Sequence, residues 1–599
     1  PEREEILWLI GKEKFRALHF KGPSSLHLSG KGPTDQYRIS ANWNLTDAAY
    51  AYPDVMEKPA KRNNNFKAEI ILNDDAVNFS SFHYDLPPAH ISGSAMFRYA
   101  GGIPVSVQVK SGSFNIQRAT SILPVLRDYH PAGNCSLDFA GKGDLNDPAS
   151  MHWRGNIALD DVSLNLPFAV KTIKGLTGKV VFDGNKMETS PLKVQIGESA
   201  VEGRLSIDDF HDLKLNCQFS SDLLRTADLG LISPEGAVNV TSVEGKIAVA
   251  DEMISVEKLS FGLGESKFNL SGTASDWDRP KITLSLISPY INYDDIARLL
   301  ALDYEKQKDA ASVDWQVDAS VLADAGKFNG VDFKNLRTGL KYAQNVVDVE
   351  QLEADFFDGK IKAKGKIDIK PDGQNHYAAN MAVEKISLDK LQRYLDLGGR
   401  MLTGKLSLKS DITAAGRSAD DFKKTLAGTV HFKAEKGVLK KFSVLSKIFS
   451  LLNIYQLFKL QLPDMAKDGM PYNQITAHTS LKKGVISSED FFIDSDAMKI
   501  SIAGKIDFLK KRVDYIAGVH PLQTIDRIAA KIPIAGWLIT DEKGNLITVD
   551  FKVDGTWDNP NVSPIPAKSI AKGTLEMFKR ILNWPEKLFT DTGEVLFGR

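Results

Sequence analysis

The chain reads Leu176-Thr-Gly-Lys-Val-Val-Phe-Asp-Gly-Asn185, then Leu192-Lys-Val-Gln-Ile-Gly197, then Val201-Glu-Gly-Arg-Leu-Ser-Ile207. Apolar or small residues fall at every second position: Leu176, Gly178, Val180 and Phe182, then Leu192, Val194 and Ile196, then Val201, Gly203, Leu205 and Ile207. A period of two describes β-strands with one apolar and one wet face. Asp183-Gly184 sits between two such runs, and glycine accepts the positive φ of a tight hairpin turn. The stretch therefore predicts an antiparallel meander.

The meander recurs. Small residues between apolar ones lie 25 residues apart at Gly178 and Gly203, and again at Ala68 and Gly93. They lie 27 apart at Gly245 and Gly272, Thr338 and Gly365, and Ala477 and Gly504. Two copies share Gly-Glu-Ser, at Gly197 and Gly264. An apolar residue, any residue and an arginine follow each block by 22 to 28 residues, ending at Arg118, Arg225, Arg298, Arg393 and Arg527. Most of these marks sit in a short helical pattern, with Ser221, Asp294 or Asp389 placed as N-cap. Five recurrences of both marks describe internal repetition of a unit of several strands and one short helix. Turns follow some strands, at Asp276-Trp-Asp-Arg-Pro280, Thr556-Trp-Asp-Asn-Pro560 and Asp144-Leu-Asn-Asp-Pro148, because proline fixes φ and Asp or Asn bonds its own backbone.

At 599 residues the chain exceeds what one compact core can organise. It divides into N-terminal strands at 1–65, repeat 1 at 66–130, extra strands at 131–175, repeat 2 at 176–235 and repeat 3 at 236–302. An insert with repeat 4 follows at 303–400. The region 401–566 holds repeat 5 and a helix at 438–462, and 567–599 is an amphipathic tail. Lys+Arg number 75 against 76 Asp+Glu, which removes the basic surplus that nucleic acid requires. Cys135 and Cys217 have no zinc spacing; a disulfide between them is open. The start at Pro1 reads as a fragment or processed product, and no uncharged run is long enough to span a bilayer.

In 438–462 the apolar period becomes helical: Phe442, Leu445, Phe449, Leu452, Tyr455 and Phe458 recur at three and four, facing a narrow, mostly uncharged polar stripe. A core helix on the sheet, a membrane-surface or membrane-dipping helix, and a partner-docking helix all fit, and Pro463 ends it. In the tail, Ile570, Met577, Phe578, Ile581 and Leu582 oppose Lys568, Lys572, Lys579 and Arg580, with Trp584 closing the set. Such a helix suits a membrane interface or caps a sheet edge. Phe442, Leu445, Phe449, Leu452, Tyr455, Phe458, Phe578, Ile581 and Trp584 are the candidate membrane contacts.

Chemistry-bearing motifs are lacking. The 11 histidines are scattered, and neither a phosphate loop nor a nucleophile elbow occurs. Gly262-Leu-Gly-Glu-Ser266 reads as a strand end, and capping explains the paired Asp294-Asp295 at a helix start. The reading is a non-enzyme without cofactor or metal. Its strands carry an apolar face that the short helices cannot cover. Such a sheet either folds on another sheet or curls into a trough that apolar ligands fill. The trough reading predicts a mainly β fold, an elongated, curved antiparallel sheet. Its groove candidates are Val180, Phe182, Leu192, Val194, Ile196, Ile247, Val249, Phe261, Leu340, Tyr342, Ile367, Ile502 and Ile506.

Several segments resemble the AsmA-like proteins of Gram-negative envelopes, and the YhdP-type members most. They are Leu45-Thr-Asp-Ala-Ala-Tyr-Ala-Tyr-Pro53 with Lys58-Pro59, the repeated strand–glycine blocks, Gly428-Thr-Val-His-Phe-Lys-Ala-Glu-Lys-Gly-Val-Leu439, the helix from Phe442 to Leu460, Ile502-Ala-Gly-Lys-Ile-Asp507, and Val553-Asp-Gly-Thr-Trp-Asp-Asn-Pro-Asn-Val562. The resemblance implies a repeating β-groove and a periplasmic body. It also implies inner-membrane anchoring through a segment outside this sequence, and phospholipid movement toward the outer membrane. The partners it implies are phospholipid or another acyl lipid, both membrane surfaces and envelope proteins. The alternative is an envelope scaffold that binds partners at sheet edges.

Overall fold

A computed structural model describes residues 19–52, 56–98, 104–144, 147–165, 172–210, 212–234, 236–304, 314–395, 402–440, 469–521, 538–540, 546–556 and 558–566. The fold is mainly β, as the period of two predicts, with few short helices and curved antiparallel sheet. Two compact units divide at Val313 and Asp314.

In the first unit the strands pair in chain order from Ser25–Lys31 to Lys281–Asn292, each antiparallel to the next. The opening stretch folds as read. Ile173–Asp183 turns back through Gly184 at φ 60° into Lys186–Thr189, with Asp183 opposite Lys186. Ser190-Pro191 then interrupts the strand, and Leu192–Ile196 pairs with Ser199–Ile207. The second unit runs in the same manner from Gln316–Phe328 through Ala427–Leu439 to Pro560–Pro564.

One irregularity recurs at the same place in four copies. The second strand carries a bulge between Phe79 and Phe82, Val256 and Leu259, Val349 and Leu352, and Ser488 and Phe491. A bulge inserts one residue and bends the strand. It also shifts the apolar positions by one, so Val256 and Leu259 share a face although two residues, Glu257 and Lys258, lie between them. In copy two the break at Ser190-Pro191 stands at this point.

The helices follow the strand blocks, at Ile116–Ala119, Tyr293–Leu300 and Leu388–Tyr394. Arg118, Arg298 and Arg393 lie in them as expected, but Arg225 ends a strand, and only a short 3-10 turn, Thr226–Leu229, follows it. The expected caps are corrected. Asn292 caps Tyr293–Leu300 by accepting from the Asp294 amide, and Ser387 caps Leu388–Tyr394. Ser221 instead donates to the Ala200 carbonyl at 2.7 Å. A capping box of Ser418 and Asp421 starts a further helix, Ala419–Thr425, between two strands, and its Ser-x-x-Asp signature is in the sequence. Val438 and Leu439 end a strand rather than start a helix.

The repeated Gly-Glu-Ser also has a structural role. Ser199 donates to the Asp228 carboxylate at 2.7 Å, and the Glu198 amide donates to it at 3.0 Å. Ser266 donates to Asp295 through its hydroxyl at 2.7 Å and its amide at 3.2 Å. Asp228 and Asp295 are buried and lie 29 residues beyond their serines. Each is a latch between a hairpin tip and the helical turn that follows. Asp295 is therefore more than a capping charge.

Candidate functional site: the apolar face of the sheet

Residues opposite one another in an antiparallel sheet share a face. Following register through the first unit gives one unbroken apolar row across sixteen strand positions. It runs Leu28, Ala41, Ala68, Phe82, Gly93, Val109, Phe139, Gly155, Phe182, Met187, Ile207, Leu215, Val249, Ile254, Ala274 and Ile282. At about 4.8 Å per strand it follows the sheet for roughly 70 Å. Two shorter flanking rows lie in succession along one side of it: first Leu205, Cys217, Ile247, Val256, Gly272 and Leu284, then Leu192, Gly203, Phe219, Gly245, Leu259, Leu270 and Leu286.

The second unit has its own row across thirteen strands: Ala319, Leu340, Val349, Gly365, Ala379, Ile412, Gly428, Leu481, Ile486, Ile506, Val513, Gly555 and Pro560.

Burial separates an open from a closed part of this face. From Phe82 to Ile282 every member of the long row is half-buried, with no large side chain sealed. The end of the second unit differs. Met498, Ile500, Val519, Val549, Phe551 and Val553 are fully buried in one cluster. The first pattern is an apolar face left partly open; the second is a filled core.

The thirteen groove candidates are all half-buried. Phe182 and Val249 lie in the long row, Leu192 and Ile247 in the flanking rows. Val180 stands opposite Ile157 and Thr189, Val194 opposite Val201, and Ile196 opposite Ile173 and Ser199. Phe261 faces Phe268 with ring centroids 5.0 Å apart. In the second unit Leu340 and Ile506 lie in the thirteen-strand row, and Tyr342 and Ile367 share the adjacent row with Val347 and Tyr377. Ile502 and Ile506 pack against the closed cluster. The rows also include residues the sequence reading passed over, chiefly Phe82, Phe139 and Phe219. All nine candidate membrane contacts, from Phe442 to Trp584, lie outside the described residues.

The opposite face is wet and charge-balanced. Lys258 pairs with Glu244 at 2.7 Å, Lys341 with Glu350 at 2.6 Å, and Lys246 with Glu257. Cys217 lies in a flanking row, and Cys135 is buried on another strand; both thiols are free, and burial pushes the Cys135 thiol up to about 11. Among the described residues no group of three His, Cys, Asp or Glu side chains could hold a metal, and no helix is long and apolar enough to cross a membrane.

One buried charge stands apart. Asp550 is 1% exposed, and among the described residues neither carboxylate oxygen has a hydrogen-bond partner. Burial pushes its carboxyl up to about 6. The folded state then holds the proton more tightly than the unfolded chain, so stability is lost as pH rises between about 4 and 6, and the full cost applies above that range. Asp550→Asn is expected to raise stability at pH 8 by about 2 kcal/mol. The gain should disappear near pH 4 in denaturant titrations at the two pH values.

Residues 386–562 match the family model described as YhdP protein. No curated protein and no solved structure matches the chain.

Proposed function

Since residues 386–562 match the model of the YhdP protein family, an AsmA-like group of the bacterial envelope, we propose that this chain is a non-enzymatic conduit for phospholipid or another acyl lipid. It works in the periplasm between the inner and outer membranes. The observation that carries this reading is the half-buried apolar row from Phe82 to Ile282. Apolar surface of that extent is costly to leave in water, at about 25 cal/mol per Å², and soluble proteins rarely keep it bare. Acyl chains cover it at no hydrogen-bonding cost, because every strand edge within the row is already paired. The polar head then stays at the rim, in water.

No step of covalent chemistry enters. The work is partition: a chain leaves one apolar phase for another that runs along the sheet. A row without a polar member offers no deep well, so movement along it meets similar surroundings at each strand. The closed cluster around Phe551 favours a second role for that end, as a rigid support rather than a passage.

The test is extraction of lipid from the purified full chain with mass spectrometry, together with photo-crosslinking groups at positions 194 and 249. Co-purifying lipid and crosslinks at both positions are expected. A chain that carries no lipid and forms no crosslink belongs to the scaffold reading.

A further inference from the structure

The open face contains large rings, yet rings standing upright would fill it. The structure shows how they lie. A β-carbon on Gly245 would fall 2.2 Å from both Cε1 and Cζ of Phe219. One on Gly141 would fall 2.6 Å from Cζ3 of Trp153, and one on Gly30 would fall 2.5 Å from Cε1 of Tyr37. At these three glycines the three nearest atoms all belong to that one aromatic side chain. Phe82 over Gly93 and Phe139 over Gly155 repeat the arrangement, with neighbouring backbone also close.

These rings lie down across the adjacent strand, in the space where a side chain would otherwise stand. Phe219 has a glycine on each side in its row, Gly203 and Gly245, and Phe82 lies between Ala68 and Gly93. Aromatic cover of strand glycines is known as a stabilising device. Here it has a second consequence, because Phe219 and Trp153 lie on the face that the apolar rows occupy.

We propose that Gly245 and Gly141 set the clearance of the trough, by letting Phe219 and Trp153 lie flat against the sheet. This rests on the conduit reading above and deepens it: these positions decide how thick an acyl ligand passes. A β-carbon at either glycine lifts the ring away from the sheet, and the only free direction is into the trough. Ligand then meets a ring edge where it had met a ring face.

The experiment uses the full chain with a trifluoromethyl-phenylalanine label at position 219 and the fluorescent fatty acid dansyl-undecanoic acid as probe. In lipid-stripped protein, Gly245→Ala is expected to move the fluorine resonance. An unmoved resonance overturns the proposal whether or not lipid binds. In unlabelled protein, Gly245→Ala should weaken probe binding about tenfold, the scale of one added methyl in an apolar site. The double variant Gly245→Ala/Phe219→Ala should return it to within about twofold of the parent, the coupling expected of touching residues. Unchanged binding in the single variant, or no recovery in the double, also overturns it. Circular dichroism reports folding; should Gly245→Ala fail to fold, Gly141→Ala with Trp153→Ala and a label at position 153 carries the same readouts. A parent chain that binds no probe defeats the conduit reading instead, and the fluorine shift still decides the ring geometry.

Discussion

Val249→Asp is expected to empty the trough of lipid while leaving the fold intact. Val249 stands inside the sixteen-strand row, between Leu215 and Ile254. It is half-buried, so a carboxylate there reaches water in the lipid-free chain, and the unliganded fold tolerates it. With an acyl chain in place that water is gone. A charged side chain facing hydrocarbon costs about 2.5–3.5 kcal/mol on insertion scales, roughly a hundredfold in occupancy. The control is the next residue. Ala248 lies on the opposite face, between Asn216 and Ser255, and Ala248→Asp should leave lipid content within about twofold of the parent, as surface substitutions do. Lipid per protein, measured after extraction, decides the matter. Equal lipid in the two variants would show that the row does not carry it.

Lys58→Met is expected to open the small N-terminal sheet of His19–Lys21, Ala49–Tyr52 and Met56–Lys58. Lys58 is 1% exposed. Its ammonium donates to the carbonyls of Leu45 at 2.6 Å, Thr46 at 2.8 Å and Ala48. Burial lowers its pKa, and the charge of Asp47 opposes that shift. Methionine fills much of the volume but donates nothing, so three buried carbonyls lose their partner together. Removing the cation from such a site costs about 3–5 kcal/mol. The loss is local, because the small sheet forms no strand pair with the large one. Amide exchange in residues 49–52 and 56–58 should speed up roughly a hundredfold or more. The strands from 76 to 111 should keep their protection. Unchanged exchange in the small sheet would show that Lys58 is a bystander there.

Much of this architecture was legible before any coordinates. The period of two from Leu176 to Ile207 specifies strands, and Asp183-Gly184 specifies their turn. Repeated glycines announced the copies because a ring in the row needs small neighbours: Ala68 and Gly93 flank Phe82, and Gly203 and Gly245 flank Phe219. What escaped did so for identifiable reasons. Alternation counted from one end of a strand fails across a bulge, so Ile254 and Val256 fall out of phase with Leu259 and Phe261. Paired polar residues mark the bulge at Ser80-Ser81, Glu257-Lys258, Glu350-Gln351 and Glu489-Asp490, a signal available to a reader who expects it. Asp228 and Asp295 escaped because their partners lie 29 residues upstream, beyond any local pattern. Whether a half-apolar strand faces a trough or a filled core could not be read at all. Ile247 and Ile500 look alike in sequence, and only what lies above them distinguishes the two.

The latches between hairpin tips and the turns that follow bear on how a hairpin opens. Copies two and three use the same serine–aspartate pairing over the same reach. Copy four reverses the polarity, with Lys390 donating to Asp358 at 2.7 Å. The fastening is common to the three copies, while its chemistry differs. Copies two, three and four thus each tie a hairpin tip to the turn that follows it, so the tip cannot lift away without first breaking a polar contact. Ends of hairpins that would otherwise fray are thereby held as firmly as the strands behind them.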